Sequence, residues 1–121
     1  MIDPARFVYA IRQTESHGDP NALGDDGRAF TSIQCHPPWL WQWASALNLP
    51  PRLGETWDEF ACRVLAAFAA RHAGWPSAEL AMYYHKGHPI GVGGYGWDSS
   101  YANRFVAYWN QYPENQTDGP A

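Results

Sequence analysis

Apolar residues recur at helical spacing along most of the chain, and clusters of turn residues separate the periodic segments. The pattern predicts a first helix with Asp3 as its N-cap and Pro4 in its first turn, ended by Gly18. The sequence TWDE, from Thr56 to Glu59, predicts a capping box before a central buried helix. This central helix is predicted to end at Gly74. The other predicted helices run from about Pro38 to Leu47, from Pro76 or Ser77, and from Asp98 or Ser99.

Two segments rich in glycine interrupt the helices. Residues 18–37 predict a loop, with at most a small β-hairpin between residues 18 and 35. The stretch KGHPIGVGGYGW predicts a mobile loop before the last helix. We therefore predict a mainly α domain of about five to six helices over residues 1–112, followed by a frayed tail over residues 113–121.

Composition and charge narrow the function classes. Apolar residues make up 45% and charged residues 17% of the chain, which is typical of a globular protein. A net charge of −4 without any Lys/Arg run argues against nucleic acid as a partner. The longest apolar run, Val64 to Ala70, is too short to span a bilayer, and the start MIDPARF lacks the features of a signal peptide. We expect Cys35 and Cys62 to be buried, reduced thiols.

Glu15 is the first candidate for chemistry. It lies in the last turn of the predicted first helix, where the negative end of the helix dipole disfavours a carboxylate. Its spacing from Val8 and Ile11 continues the apolar stripe, so burial would also favour the protonated form. A carboxylic acid that stays protonated near neutral pH can act as a general acid. From spacing alone, the alternative is a surface glutamate at the edge of the stripe.

Four segments resemble a known family. ESHGDPNALGDDGRAF resembles the Glu-Ser-x-Gly-x-Pro-x-Ala stretch of lytic transglycosylases and goose-type lysozymes, and AFTSIQCHP is similar to the family's next segment at Ala29, Gln34 and Pro37. LAMYYHKG is similar to Leu-Ala-x-x-Tyr-Asn-x-Gly, and YANRFV to Tyr-x-x-x-Val. The resemblance implies a lysozyme-like fold with a substrate cleft. It also implies cleavage of the β-1,4 bond between N-acetylmuramic acid and N-acetylglucosamine in peptidoglycan.

The resemblance assigns roles to individual residues. Glu15 would be the catalytic acid, and the supporting residues would orient it or contact the glycan: Ser16, Gln34, Tyr84, His85 and Tyr101. Tyr101 would hold the Glu15 carboxyl from the last helix. Packing or capping is the alternative role for each supporting residue.

The chain departs from the family pattern at two places. Thr31, Ser32 and Ile33 stand where the family usually has Gly-Leu-Met, which implies a different backbone approach to the glycan or a partly remodelled groove. His85 stands where the family has asparagine, and its charge changes with pH.

The number of carboxylates decides between two reactions. Lytic transglycosylases use one glutamate, which protonates the glycosidic oxygen and then takes the proton of the sugar's own 6-hydroxyl, leaving a 1,6-anhydro end. Inverting hydrolysis needs a second carboxylate as base. Asp19, Asp25 and Asp26 could reach across from the loop, although aspartate is common in turns. We favour the transglycosylase, with a hydrolytic lysozyme, a non-catalytic peptidoglycan-binding module and a chitin-active enzyme as alternatives.

The remaining histidines and aromatic residues are candidates for metal binding and for stacking on a sugar. No zinc-type spacing links His36, His85 and His88, so we expect neither metal nor cofactor. Tyr95 and Trp97 are candidates for stacking on a sugar, whereas the alternating Trp39, Trp41 and Trp43 would point around a helix. The expected partner is the glycan strand of the bacterial cell wall, reached in the periplasm or through phage lysis, and we expect a monomer.

Overall fold

Residues 1–113 fold into five α-helices and one small antiparallel hairpin. A computed structural model describes residues 1–113, so most of the predicted tail lies outside the described residues. The elements are α1 (Pro4–Ser16), β1 (Leu23–Gly24), β2 (Ala29–Phe30), α2 (Pro37–Ala46), α3 (Trp57–Arg71), α4 (Ser77–Lys86) and α5 (Ser99–Gln111). This confirms the prediction of a mainly α fold of five to six helices with a small hairpin. No helix in residues 1–113 combines the length and apolar character needed to cross a membrane.

The start of α1 follows the prediction, but its end does not. The Asp3 carboxylate accepts a hydrogen bond of 3.0 Å from the backbone N–H of Ala5, and Pro4 opens the helix. The helix ends at Ser16, two residues before Gly18, because His17 already takes the left-handed conformation with φ 57°, and Gly18 follows with φ 82°. Its N–H closes the helix on the carbonyl of Gln13, and α1 therefore ends with Glu15 in its last turn.

Helix α3 also ends before the predicted residue, at Arg71 instead of Gly74. The backbone N–H of His72 is shared between the carbonyls of Phe68 and Ala69, which tightens the last turn and closes the helix. Although this helix was predicted to be buried, its first residue, Trp57, is 54% exposed.

The core lies between α1, α3 and α5, with α2 packed on α3 and α4 packed on α5. Its largest side chains are fully buried: Phe7, Ile11, Phe60, Val64, Leu65, Phe68, Tyr101 and Phe105. The hairpin and the segment that follows it cover one end of this bundle. That end brings the last turn of α1 next to the N-terminal half of α5.

The capping box of α3 gives a first testable prediction. The Thr56 hydroxyl accepts a hydrogen bond of 3.0 Å from the N–H of Glu59, whose carboxylate accepts one of 2.8 Å from the N–H of Thr56. We expect Thr56→Ala to lower the free energy of unfolding by about 1 kcal/mol in urea denaturation. Ser77→Ala is the control, because Ser77 opens α4 without capping it. Equal losses in both variants would contradict the assignment.

Candidate active site

A cleft of about 400 Å³ opens at the end of the bundle, beside the hairpin. The end of α1, the hairpin, the start of α2 and the end of α4 contribute its walls. The titratable side chains on these walls are Glu15, Asp25, Cys35, His36, Tyr84, His85 and Lys86. The cleft therefore contains a helix-end glutamate together with both acidic and basic groups.

Glu15 is half-buried in this cleft and is held from α5. The Tyr101 hydroxyl donates a hydrogen bond of 2.7 Å to Glu15 Oε2, and this is the contact that the family resemblance implies. Burial raises the pKa of Glu15 to about 7, and the negative charge of Asp25 adds to the rise, whereas the Tyr101 hydrogen bond and the charge of Arg104 oppose it. Glu15 is therefore close to half protonated at neutral pH. With Oε2 held by Tyr101, Oε1 is the oxygen free to carry the proton.

Tyr101→Phe tests this arrangement. The hydroxyl hydrogen bond stabilises the charged carboxylate and lowers the pKa of Glu15, so its removal should raise that pKa above about 7. NMR titration of the Glu15 side-chain carboxyl in the wild type and the variant measures the change. An unchanged or lower Glu15 pKa in the variant would contradict the prediction.

His85 packs against Tyr101 at the wall of the cleft. The two rings are stacked, with centroids 3.8 Å apart and planes within 5°. His85 Nε2 lies 3.3 Å from Asp98 Oδ2, and the other carboxylate oxygen of Asp98 caps α5 at the N–H of Tyr101. Burial lowers the pKa of His85, while Asp98 opposes the shift. His85 thus lines the cleft and also fixes the tyrosine ring that holds Glu15.

Tyr84 is mainly a packing residue of the cleft wall. It is 8% exposed, and its hydroxyl donates a hydrogen bond to the carbonyl of Ile33. Its ring packs edge-on against Trp39, with centroids 5.0 Å apart, and both residues line the cleft. Tyr84 therefore anchors the segment after the hairpin to α4 and presents only a small surface to a ligand.

Gln34 and Ser16 are engaged with the backbone. The Gln34 side-chain amide donates to the carbonyls of Ala22, at 2.9 Å, and Thr31, at 2.8 Å, while the residue lines the cleft. The Ser16 hydroxyl donates a bond of 2.6 Å to the carbonyl of Ser32 and lies outside the cleft lining. Gln34 Oε1 is therefore the side-chain atom of this residue that could contact a ligand. Ser16 instead connects the end of α1 to the segment that contains Ser32.

A polar network behind Glu15 has no counterpart in the sequence-based predictions. Ser32 is fully buried, and its N–H donates a bond of 2.7 Å to Asp58 on α3. Its hydroxyl accepts one of 2.9 Å from Arg12, and Cys62 Sγ lies 3.6 Å away. The network joins α1, α3 and the segment after the hairpin. In the sequence, the one sign of this network is that Ser32 is polar where the resembled family has leucine.

Thr31, which stands where the resembled family has glycine, takes a left-handed backbone. Thr31 has φ 69°, in the region that favours glycine and is uncommon for a β-branched residue. Gln34, at the other end of the turn, has φ 52°, and its N–H bonds the carbonyl of Thr31 at 3.1 Å. Thr31 is 3% exposed, with its hydroxyl 3.8 Å from Cys35 Sγ. This turn therefore has a backbone that favours glycine, although the residue there is β-branched.

Cys35 and Cys62 are free thiols, with Cys35 buried and Cys62 half-buried. Burial raises the pKa of Cys35 to about 12, so this thiol is protonated at neutral pH. Cys35 lines the cleft as a small apolar surface beside Glu15. It is a poor candidate for a nucleophile.

Of the three loop aspartates, only Asp25 lines the cleft. Asp25 Oδ2 lies 2.8 Å from His36 Nε2, and its charge is close enough to raise the pKa of Glu15. Asp26 is exposed with φ 57°, and Asp19 accepts a bond of 2.9 Å from the N–H of Asn21 in a local turn. Asp25 is therefore the one loop aspartate of the three that could act as a base in this cleft.

The stacking candidates of the glycine loop lie away from the cleft. Tyr95 is fully exposed, and Trp97 packs against the core, so neither lines the cleft. Trp39 lines the cleft, whereas Trp41 and Trp43 on the same helix do not, which agrees with three tryptophans that point around the helix. Within residues 1–113, no cluster of three or more histidine, cysteine or acidic side chains is arranged to hold a metal ion.

Comparisons with protein-family models, curated proteins and solved structures found no match to this chain.

Proposed function

We propose that this protein cleaves the β-1,4 bond between N-acetylmuramic acid and N-acetylglucosamine in peptidoglycan, as a lytic transglycosylase. The observation that carries the proposal is the half-buried Glu15, held by Tyr101 in an open cleft with a pKa of about 7. The family resemblance in the sequence supports the choice of substrate. The protein would act as a monomer on the bacterial cell wall, from the periplasm or during phage lysis, and without a cofactor.

The proposed reaction uses Glu15 twice. Protonated Oε1 donates its proton to the glycosidic oxygen while the bond from that oxygen to C1 of N-acetylmuramic acid breaks. The 6-hydroxyl oxygen of the same sugar then bonds to C1, and its proton returns to the Glu15 carboxylate. A pKa near the working pH suits both steps, because neither protonation state of the group is rare. No water is consumed, and one product ends in a 1,6-anhydro ring.

Hydrolysis is the second candidate, because Asp25 lines the same cleft. An inverting mechanism would use Asp25 to remove a proton from water on the opposite face of the sugar. The contact between Asp25 and His36 would hold that carboxylate in place. Asp26 is less suited, since it lies outside the cleft lining.

Digestion of purified sacculi in water enriched in ¹⁸O separates the candidates. Transglycosylation gives products one water lighter than reducing-end fragments and without label, whereas hydrolysis gives reducing ends that carry the label. Labelled reducing ends that disappear in Asp25→Asn would favour hydrolysis. Binding to sacculi without any cleavage would favour the non-catalytic binding module, and cleavage of chitin alone would favour a chitinase.

A further inference from the structure

Lys86 is an uncommitted positive charge in the cleft. It is the single lysine of the chain and the last residue of α4, and it lines the cleft that contains Glu15. Most arginines are already engaged: for example, Arg63 bonds Glu55 at 2.7 Å and Arg12 bonds Ser32 at 2.9 Å. Among residues 1–113, Lys86 has no such ion pair. An ammonium group in a binding cleft without a protein partner is available to an anionic ligand.

The overall charge makes a local cation more important. With a net charge of −4, the protein as a whole repels an anionic polymer. The negative charges of Glu15 and Asp25 inside the cleft add to that repulsion when they are ionised. A cation on the cleft wall offsets the repulsion only for a substrate whose negative charge lies next to it. Lys86 can therefore distinguish substrates by the position of their charge.

Lys86 and Glu15 enter the cleft from different elements. Glu15 lies in the last turn of α1, where the Tyr101 hydroxyl holds its carboxylate. Lys86 is the last residue of α4 and directly follows His85, whose ring stacks on the Tyr101 ring. A group bound by Lys86 is therefore a different part of the ligand from the bond at Glu15.

We propose that Lys86 binds a carboxylate of the glycan strand, at a position removed from the cleaved bond, and so selects carboxylate-bearing strands over neutral ones. The inference rests on the proposed function for its substrate class. In peptidoglycan the carboxylate belongs either to the lactyl group of N-acetylmuramic acid, where no peptide is attached, or to the peptide stem. Chitin has neither group.

Binding measurements on the full-length Glu15→Gln variant test the proposal independently of cleavage. Three soluble probes are used in calorimetric titrations: peptide-bearing strands, peptide-free strands, and peptide-free strands whose carboxylates are converted to methylamides. Lys86→Gln is added to this background, and Arg71→Gln is the control. Arg71 is an exposed cation at the end of α3, so its loss changes the net charge equally.

We expect Lys86→Gln to weaken binding of the charged strands by roughly three- to fivefold at low salt, which corresponds to a partly exposed ion pair. Binding of the methylamidated strand should change less than twofold, and Arg71→Gln should resemble the background protein. The difference should shrink at 0.5 M salt. A loss confined to peptide-bearing strands identifies the stem carboxylate, and a loss confined to peptide-free strands identifies the lactyl carboxylate. A loss on both charged probes shows that Lys86 accepts either carboxylate.

Equal effects of Lys86→Gln on charged and methylamidated strands would overturn the proposal, as would no effect on any strand or no binding of the charged strands. The proposed function has its own contradicting result, which is that the wild-type protein does not cleave sacculi. A wild type that cuts sacculi, with Lys86→Gln showing no charge preference, would therefore remove this inference and leave the proposed activity intact.

Discussion

Glu15→Gln should lower the rate of glycan-strand cleavage by about a thousandfold or more, which is the largest effect that we expect on activity. Glutamine keeps the size of the side chain and still accepts a hydrogen bond from Tyr101, but it has no proton to donate. Release of soluble fragments from sacculi, followed by mass spectrometry, measures the loss. Glu79→Gln on α4 is the matched control, because Glu79 lies outside the cleft and should leave cleavage unchanged. Cleavage that persists in Glu15→Gln would remove Glu15 from the mechanism.

The same variant should gain stability at neutral and alkaline pH. Burial raises the pKa of Glu15 from 4.5 to about 7, so the native state holds more protons than the unfolded chain between these values. Wild-type stability therefore falls as pH rises through this window. We expect Glu15→Gln to be more stable than the wild type above pH 7, by on the order of 1 to 3 kcal/mol, and to lose that advantage below about pH 4.5. Thermal unfolding of both proteins across this pH range measures the gain at high pH and its disappearance at low pH.

Phe68→Ala should cause the largest loss of stability, roughly 3 to 5 kcal/mol and about 10 to 20 °C in melting temperature. Phe68 is fully buried on α3, at the centre of an aromatic cluster. Its ring centroid lies 4.9 Å from Trp43, 5.8 Å from Trp39 and 5.6 Å from Tyr83. The substitution leaves a cavity that these rigid rings fill poorly, so the cost should exceed the transfer energy of one side chain.

Leu53→Ala is the control for Phe68→Ala, since Leu53 is fully exposed and should contribute less than about 0.5 kcal/mol. Because Trp39 contacts Phe68 and lines the cleft, the cavity should also loosen the cleft wall. A loss below about 1.5 kcal/mol for Phe68→Ala would mean that the cluster repacks freely and does not stiffen that wall.

The sequence predicts the helices well because each depends on local information. The Asp3 cap, the capping box at Thr56 and the apolar periodicity of α3 all act within a few residues. The end of α1 shows the limit of such rules, since His17 takes the left-handed conformation one residue before Gly18, which takes it too. Helix ends depend on small energy differences that neighbouring contacts can reverse.

Candidate-site residues were predictable only where the family resemblance supplied long-range information. The contact between Glu15 and Tyr101 joins residues 86 positions apart, and no local pattern indicates it. The network around Ser32 and the position of Trp39 at the cleft depend on how helices pack, and sequence spacing gave no sign of them. Tyr95 and Trp97 were assigned to stacking from loop composition, which says nothing about where a loop lies.

The left-handed Thr31 shows the limit of a consensus pattern. A pattern that demands glycine at this position specifies a residue type, whereas the structure shows a backbone angle. A β-branched residue holds that angle here with its side chain buried and with the next residue, Ser32, bonded to Asp58 on α3. The angle, and not the residue type, is therefore the feature to compare between chains.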